Sequence, residues 1–169
     1  AYLLQATLGV NMSDNWRAVA NLDAVFTDAT DSTRDGDYAE GSVGFAYRPA
    51  EGDRLNVLAK YTLLYDNPGS QQVAVDGTTS SPAQRSHILS ADVSYDVTPR
   101  LTLGAKYGVR IGEIKERTPG AHWENSQVHL AVARADLHIV NQWDAMLEGR
   151  VMWSPTTDQT DFGIVAAVY

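Results

Sequence analysis

Nearly every part of this chain alternates apolar and polar side chains with a period of two, and that is its strongest structural constraint. In RADLHIVNQWDAMLEGRVMW, residues 134–153, one set reads Arg134, Asp136, His138, Met146, Glu148 and Arg150. The other reads Ala135, Leu137, Ile139, Ala145, Leu147, Gly149 and Val151. A helix gathers residues three and four apart, whereas a strand sends alternate residues to opposite faces. The pattern predicts strands at 2–12, 16–27, 39–48, 55–66, 87–97, 101–112, 127–140, 145–153 and 161–169. Most are longer than the usual five or six residues of globular sheets, and close to the roughly 9–11 that cross a bilayer when tilted.

The connections alternate in kind. SDN (13–15), AEGD (50–53), TPR (98–100) and NQWD (141–144) are tight. The segments 28–38, 67–86, 113–125 and 155–161 are longer and polar, and VAVDGTT (73–79) within the second offers a small hairpin. Short connections at one end and long ones at the other describe an up-and-down meander in a single domain spanning residues 1–169.

The totals narrow the function. A net charge of −8 argues against a nucleic-acid partner, which selects a basic stripe. The absence of cysteine removes disulfides and thiolate metal sites. No apolar run approaches the roughly 20 residues of a spanning helix. The opening AYLLQATLGV lacks the basic segment and long apolar core of a signal peptide.

One parity through the middle seven strands includes Trp16, Ala18, Ala20, Leu22, Ala24, Phe26, Val43, Phe45, Tyr47, Leu55, Val57, Ala59, Tyr61, Leu63 and Tyr65. It continues through Leu89 to Val97, Leu101 to Ile111, Ala131 to Ile139 and Ala145 to Trp153, and holds no charge. At the chain's 20% charged, about seven charges would fall there by chance. The opposite parity carries Arg17, Asp23, Glu40, Arg48, Lys60, Asp66, Asp92, Asp96, Lys106, Arg110, Arg134, Asp136, Glu148 and Arg150.

Alternation alone does not say which face is inside. A soluble sandwich or lipocalin-like barrel hides the apolar face, and a membrane barrel turns it outward. Three features favour the second. Aromatics gather at both strand ends, with Trp16, Tyr47, Tyr95 and Trp143 near the tight turns and Tyr2, Phe26, Tyr65 and Trp153 near the long loops. Such belts suit headgroup interfaces; Tyr61 and Tyr107 lie nearer mid-strand and fit less well. The many alanines would fill a soluble core poorly but leave no void against fluid lipid. Strand length and the two-ended rhythm of connections are the third.

On LAVARADLHIVNQWDAMLEGRVMW, YDVTPRLTLGAKYGVR and the final DFGIVAAVY, the chain resembles part of a Gram-negative outer-membrane β-barrel. It is most similar to the barrel module that ends large surface proteins of that class. The resemblance implies an antiparallel transmembrane barrel in the outer membrane, tight turns in the periplasm and long loops outside. It further implies contact with membrane lipid and lipopolysaccharide, or with other outer-membrane or surface proteins. Nine strands departs from the even numbers of bacterial single-chain barrels, and Ala1 begins in mid-strand, so a fragment of a barrel of ten or more strands is expected. Tyr169, with Val165 and Ala167 alternating before it, resembles the terminal aromatic that barrel-assembly machinery recognises.

The expected interior holds charges of both signs near one another: Glu40 and Arg48, Lys60 and Asp92, Lys106 and Arg110, Arg134 and Asp136, Glu148 and Arg150. Lone ions in a narrow lumen cost several kcal/mol, so a bridging ion network is expected. The alternative is a small-solute channel tuned by Lys60, Lys106, Arg110, Arg134 and Arg150. Val19, Leu58, Leu64, Leu130, Val132, Met146 and Met152 on the same parity favour a filled interior. Enzyme activity is not expected: His138 with Asp136 and Glu148 lacks a neighbouring serine nucleophile. His87, His122 and His129 show no metal spacing, and Asp28, Asp31, Asp35, Asp37 and Glu40 lack the ordered spacing of a calcium loop. No cofactor is expected, and the anticipated role is that of anchor or scaffold for surface-exposed loops or partners.

Overall fold

The computed structural model describes residues 1–27, 36–68, 82–116, 120–140 and 143–169. Nine strands form one sheet: β1 (Tyr2–Asn11), β2 (Trp16–Phe26), β3 (Asp37–Tyr47), β4 (Leu55–Asn67), β5 (Ala83–Thr98), β6 (Leu101–Lys115), β7 (Glu124–Val140), β8 (Trp143–Ser154) and β9 (Gln159–Val168). Their spatial order is their chain order, and every neighbouring pair is antiparallel. The sheet is not closed; β1 and β9 are its edges. The proposed hairpin at 73–79 and residues 28–35 of the acidic segment 28–38 lie outside the described residues.

The register keeps the two sets of side chains apart from strand to strand. One row of directly opposed residues runs Leu8, Ala20, Val43, Tyr61, Leu89, Val109, His129, Trp153, Thr160. It starts near the tight-turn end of β1 and finishes next to the opposite end of β8. That steady stagger is the shear of tilted strands, the geometry that lets a sheet curl. Two cavities lie along the ionic face, one of about 680 Å³ between Ile88 and Asp161 and one of about 230 Å³ between Arg17 and Lys60. The ionic face is therefore the concave one.

Almost nothing is buried. Ala24 and Ala83 are the only buried hydrophobic residues among those described, and no large side chain is fully buried. Leu22, Phe45, Leu63, Leu89, Leu103, Ile111, Leu137 and Leu147, all on the apolar face, are exposed. A domain of about 150 residues ordinarily removes roughly 70% of its surface from water. One curved sheet without a second layer cannot do so.

The strands run further toward the long connections than alternation indicates. β5 begins at Ala83, β6 ends at Lys115 and β7 begins at Glu124. In these extensions Arg85 faces Glu113 and Glu113 faces Asn125. The ladder continues while the apolar signal stops, because polar residues occupy both faces there. The connection expected as a long loop at 155–161 is a correction: Ser154 pairs with Gln159, leaving a four-residue turn. Asp158 takes the left-handed conformation there (φ 51°), which a short polar side chain tolerates.

Register also relocates the last residues. Val165 faces Glu148, Ala167 faces Met146 and Tyr169 pairs with Asp144, so these three share the ionic face. Phe162, Ile164, Ala166 and Val168 hold the apolar face instead.

Candidate functional site

The concave face is built by the even-numbered residues of β3 to β8 and by Arg17, Val19, Asn21 and Asp23 of β2. Its densest cluster spans β7 and β8. Arg134 donates from Nε and Nη2 to both oxygens of Asp136 at 2.7–3.0 Å. Arg150 donates to Glu148 at 2.6 Å, and Glu148 stands directly opposite Arg134. Four charges of alternating sign thus meet across two strands. Asp92 stands opposite Lys106, with a looser contact of 3.9 Å.

Glycine gives these long side chains room. Arg150 faces Gly163, where a Cβ would come within 2.9 Å of the arginine Cγ. A side chain there would push the guanidinium off the strand surface and away from Glu148.

The other members of the expected network are not joined as the sequence suggests. Glu40 accepts from the Tyr38 hydroxyl at 2.6 Å. Arg48 sits in the β3–β4 turn and forks onto Asp53 at 2.5 and 2.7 Å. Those hydrogen bonds hold the Asp53 carboxyl below the usual carboxylate range. Lys60 lies opposite Gly44 and Ser90, while Asp92 is claimed by Lys106. Arg110 meets the Ser126 hydroxyl at 3.2 Å and no carboxylate within 4.0 Å among the described residues.

All eight belt aromatics lie on the apolar face. Trp16, Tyr95 and Trp143 are exposed near the tight turns, and Tyr47 packs on Trp16 with ring centroids 4.8 Å apart. Phe26 and Tyr65 are exposed at the other end, where Trp153 stacks on His129 at 4.7 Å and 4°.

The two mid-strand tyrosines have partners that alternation did not reveal. Tyr61 Oη lies 2.7 Å from His87 Nδ1, and Tyr107 Oη lies 2.8 Å from His129 Nδ1. Each histidine sits two residues beyond the tyrosine's direct cross-strand neighbour, on the same diagonal. Both tyrosines therefore reach toward the long-connection end. Gln127 completes the second pair, with its Nε2 2.8 Å from His129 Nε2. Above them Arg85 pairs with Glu113 and lies over Trp123, 4.7 Å from the ring centre. The only sequence signal for this band was a histidine at apolar parity in two neighbouring hairpins.

His138 binds Asp144 across the β7–β8 turn at 2.7 Å, and the Arg134 fork takes Asp136 away from it. Among the described residues no group of three or more histidine, aspartate or glutamate side chains could hold a metal ion. Compared with protein-family models, curated proteins and solved structures, the chain matches none.

Proposed function

We propose that this chain is the membrane-spanning part of an outer-membrane β-barrel that acts as an anchor or scaffold. Its apolar face lies against hydrocarbon and its concave ionic face lines the interior. The observation that carries this reading is the continuous exposed apolar face, charged only along its long-connection margin at Asp37, Arg85, Glu113 and Lys115 among the described strand residues, on a sheet with almost no core of its own. A soluble monomer rarely exposes an apolar patch larger than a few hundred Å². Charges paired within the concave face and aromatics at both ends of the apolar band support the same orientation. β1 and β9 run in the same direction, so a closed antiparallel ring takes an odd number of further strands, as in a barrel of ten. The connections between β2 and β3, β4 and β5, and β6 and β7 face outward and contact lipopolysaccharide or a surface partner. Gram-negative origin rests on the resemblance of the hairpin and turn sequences.

The decisive test is insertion. Refolded full chain should float with phospholipid vesicles, resist alkaline extraction and require detergent for monodispersity. A monodisperse, folded monomer in plain buffer overturns the proposal.

A second reading, a small-solute channel, draws on Arg110 and Lys60, which have no carboxylate within 4.0 Å among the described residues. It expects discrete conductance steps in a planar bilayer, with ion selectivity shifted by Arg110→Gln. An anchor gives none.

A further inference from the structure

The concave-face cavity between Ile88 and Asp161 combines features that the ion network does not use. Its volume is about 680 Å³, within the range of small-molecule sites. Val128 and Leu130 of β7 and Met152 of β8 form an apolar wall, with Ile88 of β5 beside it. Gly108 of β6 leaves the floor open between Lys106 and Arg110. An added Cβ at Gly108 would make only one ordinary contact, 3.9 Å to the Leu89 carbonyl oxygen.

The charges are uneven. Lys106 is shared with Asp92, and Asp161 at the far rim receives the Gln159 amide at 3.1 Å. Arg110 has only the Ser126 hydroxyl. A half-buried guanidinium with one neutral acceptor keeps most of its donor fork for an anion. The apolar wall begins next to it, since Arg110 faces Val128 directly. Arg110 and Met152 lie two strands apart, roughly 10 Å across the sheet, the reach of a medium-length acyl chain.

We infer that this cavity is a binding site for a single-chain amphiphile with an anionic head, the head on Arg110 and Ser126 and the chain along Val128, Leu130 and Met152. Asp161 sets the direction by repelling the head from the opposite rim. The site belongs to the ionic face; its test rests on the proposed membrane insertion, which flotation with vesicles checks first, so a chain that inserts but does not bind octanoate fails this inference alone.

The chain's three methionines supply a local probe. Full chain labelled with ¹³C at the methionine methyl groups, in nanodiscs of zwitterionic lipid, is titrated with octanoate. The Met152 methyl signal should shift saturably, while Met12 and Met146, outside the cavity, should not move. Octanol, which has the chain without the charge, and acetate, which has the charge without the chain, should bind at least tenfold more weakly. Arg110→Gln should raise the octanoate half-saturation about tenfold or more, with the spectrum otherwise unchanged. Gly108→Leu, which fills the floor, should abolish the Met152 response. The inference is overturned if octanoate leaves Met152 unmoved, if octanol acts equally, or if Arg110→Gln binds like the parent.

Discussion

Leu58 and Ala59 are neighbours in β4 and stand on opposite faces. Ala59 lies between Phe45 and Ala91, and Leu58 lies between Ala46 and Asp92. The contrast holds for the whole sheet. On the concave face the chain supplies partners for most of its own charges. On the apolar face each side chain touches only neighbours in its own layer, so burial there has to come from outside the sheet. The fold is self-sufficient on one face and dependent on the other.

The same substitution at these two positions tests that asymmetry most severely. In the proposed orientation Ala59 faces lipid near mid-strand, where arginine costs about 2–4 kcal/mol, so Ala59→Arg should lose that much in urea titrations of the chain folded into zwitterionic vesicles. Leu58→Arg faces Asp92 and should change stability by less than about 1 kcal/mol. Equal costs would mean that the faces do not differ in environment, and a reversed order would turn the sheet inside out.

Within the concave face the comparison narrows to joined and unjoined charges. Glu148 is the least exposed acid of the ion pairs, 18% exposed, and stands between Arg150 and Arg134. Glu148→Ala should cost about 1 kcal/mol, reduced from a buried value because Arg150 is half exposed. Lys60→Ala, which breaks no ion pair, should stay within about 0.5 kcal/mol. A larger loss at Lys60 than at Glu148 would remove the ion network as the stabilising element of this face.

The sequence carried the strand count and the sorting of the two faces, because both follow from a period that any strand must show. It carried less where that period stops. In the extensions around Arg85, Glu113 and Asn125 the backbone ladder continues although polar residues take both faces, so the strand ends fell short. Ion partners were legible when they were two residues apart on one strand, as in Arg134 with Asp136 and Glu148 with Arg150. They were not legible when register decided. Asp92 goes to Lys106 rather than Lys60 because Lys106 is its direct cross-strand neighbour. Arg48 goes to Asp53 because a glycine turn, with Gly52 at φ 77°, folds the acid back onto it. The final turn was hidden because its polar run looks like a loop until Ser154 is seen to pair with Gln159.

The apolar face has its own exception in the Tyr–His band, which tests how far that face excludes water. Tyr107→Phe removes one hydroxyl and leaves His129 with Gln127 and the Trp153 stack. In a site shielded from water the loss should reach about 1 kcal/mol, the middle of the range for one hydrogen bond. In a wet site it should approach zero, because water replaces the hydroxyl. Tyr61→Phe should behave alike, since its histidine stands on the same diagonal. A loss at one tyrosine and none at the other would place the two hairpins at different depths.

The smallest effect belongs to neither face. Arg48 and Asp53 lie in the exposed β3–β4 turn, where the fork holds the Asp53 carboxyl below its usual range. A carboxyl lowered on folding contributes while pH stays above its unfolded value, and that contribution is lost as pH falls through the folded one. Amide exchange in the β3–β4 turn should therefore be insensitive to this pair from neutral pH down to the ordinary aspartate range, and show a step of local opening only below it. Asp53→Asn should remove that acid step while leaving the global unfolding midpoint in place, because solvent screens so exposed a pair. A shift of the global midpoint would instead show that the tight-turn end holds the sheet together, and would move the centre of stability from the two faces to their edge.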